Sequence, residues 1–115
     1  MFLGTERRKY SRYHFKIDIE FVVKNETIFS TKSRNISTGG IFVISKEFFP
    51  VGTVGILNME FHFDDEKVII TPQGEVVSVM SAIEPEKFFG MGVEFLRMDT
   101  QSEINLSNVI KSLGL

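Results

Sequence analysis

The chain has 115 residues, 43% of them hydrophobic, with 12 Phe, no Trp and no Cys, which gives room for one domain around one core. The lack of cysteine excludes disulfides, thiolate metal sites and a cysteine nucleophile. The formal net charge of −2 argues against a bulk nucleic-acid binder. That charge is unevenly spread: Arg7, Arg8, Lys9, Arg12 and Lys16 oppose only Glu6 in the first 16 residues, a local +4 that leaves −6 on the remainder. A basic arm on an acidic body suggests a localised anion site.

In chain order, Phe15, Ile17, Ile19, Phe21 and Val23 alternate with polar residues, the period of a strand with one wet face. A turn at Asn25-Glu26 leads to a second strand over residues 27–36. Asn35-Ile36-Ser37-Thr38-Gly39-Gly40 then breaks the pattern with turn formers. Ile41 to Ser45 is a short apolar strand, stopped by the loop holding Pro50 and Gly52. Leu57, Met59, Phe61 and Phe63 mark another half-buried strand, with a turn at Asp64-Asp65. A long strand from Lys67 to about Ala82 carries Pro72 and Gly74 where a closing barrel must bend. Gly90 to Leu96 is the last strand. Only the tail reads as helix: Thr100-Gln101-Ser102-Glu103 fits a capping box, and Leu106, Val109, Ile110 and Leu113 follow at helical spacing. Gly114 sits where a C′ glycine ends a helix.

No apolar run approaches the roughly 18 residues of a bilayer span, and Met1-Phe2-Leu3-Gly4 is too short for a secretory core. No membrane insertion is expected, and the expected compartment is the cytoplasm. His14 and His62 fall on predicted strands with no Ser or carboxylate arranged as an orienting partner. No Walker loop, Rossmann fingerprint or His-Glu metal motif occurs. Asp64-Asp65-Glu66 reads as a charged hairpin turn rather than a cation site. The chain is therefore expected to hold no catalytic residue and no metal.

Two features remain. Arg7, Arg8 and Arg12 stand just before the first strand, and guanidinium forks suit both phosphates and the O6/N7 edge of guanine. Asn35-x-Ser37-x-x-Gly40 joins two strands, with polar side chains able to meet a base edge and a glycine allowing close approach. Each has an ordinary reading beside it, a solvated terminus for the first and an Asx or Ser turn for the second.

Together, Arg8-x-x-x-Arg12 and Asn35-x-Ser37-x-x-Gly40 resemble the paired signature of the PilZ domain family. Gly74-Glu75-Val76-Val77 and Gly90-Met91-Gly92-Val93-Glu94-Phe95 look like that family's closing strands, so the resemblance runs from about Glu6 to the C-terminal helix. It implies an all-β fold, a six-stranded antiparallel split barrel with one C-terminal α-helix. Residues 1–14 would form a flexible basic arm, 15–115 the barrel, and about 100–113 the helix. It also implies a receptor for cyclic di-GMP rather than an enzyme, with no cofactor. Arg8 and Arg12 would grip phosphate and guanine with Arg7 joining them. Asn35 would reach a guanine edge and Ser37 a phosphate or base atom, while Gly40, with Gly39 beside it, would leave room. Asn35 stands where Asp is commoner, and Ser78 where some members carry Trp; both departures imply weaker binding.

The expected mechanism is an arm ordered by the ligand to present a surface to a downstream protein partner. An alternative is a PilZ-like interaction domain that binds no nucleotide. Binding of a polynucleotide on exposed Phe residues is disfavoured by the acidic body.

Overall fold

The computed structural model describes residues 15–63, 66–83 and 87–114. The arm with Arg7, Arg8, Arg12 and His14 lies outside them, as does the Asp64-Asp65 turn, although Phe63 and Glu66 on either side of that turn exchange backbone hydrogen bonds. In chain order the elements are β1 (Phe15–Val23), β2 (Glu26–Ser30), β3 (Lys32–Arg34), β4 (Gly40–Ser45), β5 (Val54–Phe63), β6 (Lys67–Ile70), β7 (Gln73–Ile83), β8 (Phe88–Arg97) and α1 (Thr100–Ser112). Every strand pairing is antiparallel. The ladder runs β2-β1-β5-β7-β8-β4-β3, with β6 off this path beside β5.

The all-β antiparallel fold with one terminal helix is as expected; the strand count and the closure are corrected. Eight strands replace six because two segments that alternate as one strand are interrupted. At Thr31 the chain leaves β1 and turns to β4. The buried hydroxyl of Ser30 holds that bend, lying against the Ile44 carbonyl and 2.9 Å from the Lys32 carbonyl, and accepting from the Lys32 N–H at 3.1 Å. At Pro72 the missing N–H removes a rung. Register with β5 survives the gap, from Met59↔Ile70 to Ile56↔Gln73, and the Leu57 N–H donates to the Pro72 carbonyl at 2.9 Å. The barrel is likewise open: no ladder joins β2 to β3, the two ends of the path. With one residue between them there is no room for a turn, so these ends are linked by the chain itself. The first hairpin turns at Lys24-Asn25, one residue earlier than expected, with Lys24 at φ 54°.

Alternation decides what is buried. Ile17, Ile19 and Phe21 of β1 face Phe61, Met59 and Leu57 of β5 across the ladder, and all six lie in the core. Phe49, in the loop after β4, enters the same core and meets Phe21 edge-on at 5.4 Å between ring centroids. Each such side chain contributes about 1.5–3 kcal/mol by leaving water. Phe48, by contrast, stays at the surface and packs on Phe89 at 4.7 Å.

The helix caps differently from the expected box. Asp99 is the N-cap, its Oδ1 accepting from the Ser102 N–H at 2.7 Å. A carboxylate there satisfies an orphan donor and complements the helix dipole, which Thr100 one residue later does not. Gly114, at φ 79°, follows the C-cap as expected. Leu106 and Val109 bury the inner face of α1. The helix also covers the outer edge of β6: Asn105 donates to the Ile69 carbonyl at 3.0 Å and the Thr71 N–H donates to Ser102 Oγ at 3.1 Å. Backbone groups left bare along an edge invite pairing with other chains, and α1 removes that hazard.

Candidate functional site

The Asn35–Gly39 turn connects β3 to β4 and is built by its own polar atoms. Asn35 sits at φ 52°, a left-handed conformation that Asn adopts more readily than most residues. The Ser37 N–H donates to the Gly40 carbonyl at 2.9 Å, and Ser37 Oγ accepts from the Gly39 N–H at 3.1 Å. The turn is then pinned to β8, whose Phe95 N–H donates to the Gly39 carbonyl at 2.8 Å. Asn35, Ser37 and Gly39 are exposed and Gly40 half-buried, so the turn presents polar side chains to solvent on a fixed backbone.

Gly40 is required by a neighbouring strand. A Cβ there would lie 2.5 Å from the Val93 carbonyl oxygen and 3.3 Å from the Glu94 Cα. The room it leaves on this side is taken by β8, so the fold itself requires glycine here. Gly39 has nothing closer than Ser37 Oγ at 3.9 Å and is sterically unconstrained.

Beside the turn runs a basic groove of about 500 Å³ between the start of β1 and β3, lined by Lys16, Ile17, Thr31, Lys32, Ser33, Arg34 and Ile44. Arg34, at the end of β3, directly precedes Asn35. Lys16 lies where the N-terminal segment joins the sheet. The fold thus brings the root of the arm to the same edge as the turn, although the two are far apart in sequence. Lys32 also lies over the Phe88 ring at 4.9 Å, a cation–π contact. Lys32 and Arg34 were not singled out from the sequence. The signal was available in their alternation with Ser33 on a short strand leading into the turn.

A second group was missed altogether. On the outer face of the β1–β5 ladder, His62 Nε2 lies 3.2 Å from Asp18 Oδ2 and 3.3 Å from Glu60 Oε1. The expectation that no carboxylate accompanies either histidine is therefore overturned for His62.

The described residues thus form a small antiparallel β domain with an edge helix and a polar turn beside a cationic groove. The model of the PilZ domain family matches residues 6–112, nearly the whole chain, and this protein belongs to that family. Its domains serve as receptors or adaptors, and cyclic di-GMP is their ligand in general. No curated protein matches the chain. Among the described residues no helix is long and apolar enough to cross a membrane.

Proposed function

We propose that this domain binds cyclic di-GMP at the edge formed by the Asn35–Gly40 turn and the basic groove beside it, and relays binding by ordering its N-terminal arm. The supporting observation is the convergence of the arm's root on the turn. Arg12 is four residues before Lys16, and a chain reaches at most about 3.6 Å per residue. The Arg12 Cα therefore lies within roughly 14 Å of that of Lys16, which lines the groove with Arg34, and the long arginine side chain adds to that reach. In this reading Arg8 and Arg12, with Arg7, take the phosphates and a guanine Hoogsteen edge. Asn35 offers its exposed side chain to the other guanine edge, and Ser37 donates its hydroxyl while still accepting the Gly39 N–H. Neutralising the like charges of the arm favours its docking and creates a surface for a protein partner.

Calorimetric titration of cyclic di-GMP into the wild type, Arg8→Ala and Ser37→Ala tests this. Micromolar binding that is lost in Arg8→Ala supports the proposal, and the stoichiometry distinguishes one ligand molecule from a stacked pair. Absence of heat at high ligand concentration refutes it.

One observation favours a second reading, an interaction domain that binds no nucleotide. Ser37 and Gly40 hold the turn and admit β8 whether or not a ligand comes. Their presence is explained by folding, so the case for nucleotide rests on the arginines and on Asn35. The same titration separates the two readings.

A further inference from the structure

We propose that Asp18, Glu60 and His62 form a binding site for one divalent transition-metal ion of the Zn²⁺ class on the outer face of β1 and β5. The register that buries Ile17, Ile19 and Phe21 places Asp18 directly across from Glu60, with Lys16 across from His62. One ligand atom from each of the three lies within 4.8 Å of the others. Zn²⁺ bonds to imidazole nitrogen and carboxylate oxygen are about 2.0–2.2 Å long, which sets adjacent ligand atoms about 3.0–3.5 Å apart. The distances of 3.2 and 3.3 Å from His62 Nε2 to the two carboxylates fall in that range.

Two further observations point to a cation. His62 Nε2 is buried and, among the described residues, has no hydrogen-bond partner, although its side chain as a whole is 36% exposed. A ring nitrogen at contact distance from two acceptors that makes a hydrogen bond to neither is left unsatisfied, an arrangement a coordinated ion resolves. Asp18 and Glu60 are also like charges placed directly opposite on paired strands, which destabilises a sheet. Lys16 Nζ offsets this only weakly, at 3.8 Å from Asp18 Oδ2 and 68% exposed. The ladder fixes the backbone positions from which the three ligands project. A cavity of about 270 Å³ beside the group, lined by Asp18 and Glu60 though not by His62, leaves room for water on the carboxylate side.

The imidazole selects the metal class. Ca²⁺ and Mg²⁺ take oxygen ligands and gain little from nitrogen, whereas Zn²⁺, Ni²⁺ and Cu²⁺ accept imidazole with carboxylates. Three protein ligands with open positions hold such an ion less tightly than a closed four-ligand site.

The test is calorimetric titration of Zn²⁺ into the metal-free full chain at neutral pH, with Mg²⁺ as the comparison. The expected result is one Zn²⁺ per chain at micromolar affinity, no comparable Mg²⁺ binding, and weaker binding on acidification as protons compete for the ligands. Affinity should fall at least tenfold in His62→Ala and in the isosteric Glu60→Gln, and stay unchanged in His14→Ala. Absence of Zn²⁺ binding overturns the proposal. So does binding that survives His62→Ala, or that is lost in His14→Ala instead.

Discussion

Replacing Gly40 by alanine separates two roles that a motif glycine can play. The added Cβ would lie 2.5 Å from the Val93 carbonyl oxygen, whereas real Cβ contacts essentially never fall below 3.0 Å. Strands β4 and β8 must therefore part by about 0.5 Å at a backbone atom that no rotamer change can move aside. That displacement loads the Gly40↔Glu94 rung and the 2.8 Å bond from the Phe95 N–H to the Gly39 carbonyl. Overpacking of this kind costs about 1–3 kcal/mol, and a Gly-to-Ala change returns about 0.4–1 kcal/mol by restricting the unfolded chain. The net expectation is a loss of about 1–2 kcal/mol, or roughly 4–8 °C in Tm for a domain of this size. Gly39→Ala is the internal control: its Cβ meets nothing closer than 3.9 Å, and its stability should be unchanged or slightly raised. Urea unfolding of both variants, followed by circular dichroism, reads the difference. If Gly40→Ala is no less stable than Gly39→Ala, the close approach of β8 is not what requires glycine, and ligand clearance is left as the reason for it.

Ser30→Ala should cost about 1–3 kcal/mol in the same assay, because it leaves the bend at Thr31 without the hydroxyl that meets the Ile44 and Lys32 carbonyls. A loss under about 0.5 kcal/mol would show that the bend is set by the backbone alone. Asp99→Ala should cost about 1 kcal/mol through loss of the 2.7 Å cap on Ser102, with Asp99→Asn retaining most of it. Phe29, 66% exposed on β2, should accept Thr within about 0.5 kcal/mol. A larger loss on thermal melting would place that ring against a neighbour and contradict the outward face of β2.

Much of the fold was legible because burial on one face writes a period of two into the chain. Ile17-Ile19-Phe21 and Leu57-Met59-Phe61-Phe63 announce their strands and their inward sides with no knowledge of partners. The helix was legible from Leu106, Val109 and the closing glycine. The interruptions at Thr31 and Pro72 were harder to read. A hydrophobic pattern continues through both, and what breaks the strand is a side-chain-held bend in one case and a missing donor in the other. The Asp18–Glu60–His62 group was not legible at all. Glu60 and His62 share a strand face, but Asp18 joins them only through the pairing of β1 with β5, a long-range register that the sequence does not spell out. The Asn35–Gly40 turn was read correctly as a turn, yet the reason for Gly40 lay in Val93, on a strand remote in sequence.

This last point shifts how the proposed site would work. The turn is held by the Ser37 and Gly39 bonds and tied to β8 through Phe95, so Asn35 stands on a backbone whose conformation is already set. A preorganised contact spends no binding energy on ordering itself. In the proposed mechanism the arginines belong to a like-charged segment that the ligand orders, so part of their contact with the phosphates offsets that ordering. The two halves of the signature should therefore fail differently. Loss of an arginine removes a charge that attracts a dianion at a distance, which slows association and weakens the salt dependence. Loss of the Asn35 amide leaves attraction intact and removes a directional bond, which speeds dissociation. Stopped-flow kinetics of cyclic di-GMP binding to Arg8→Ala and Asn35→Ala would show this split as a lower association rate in the first and a higher dissociation rate in the second. Equal effects on both rates in both variants would mean that arm and turn order together, and that the turn is not the fixed platform its hydrogen bonds describe.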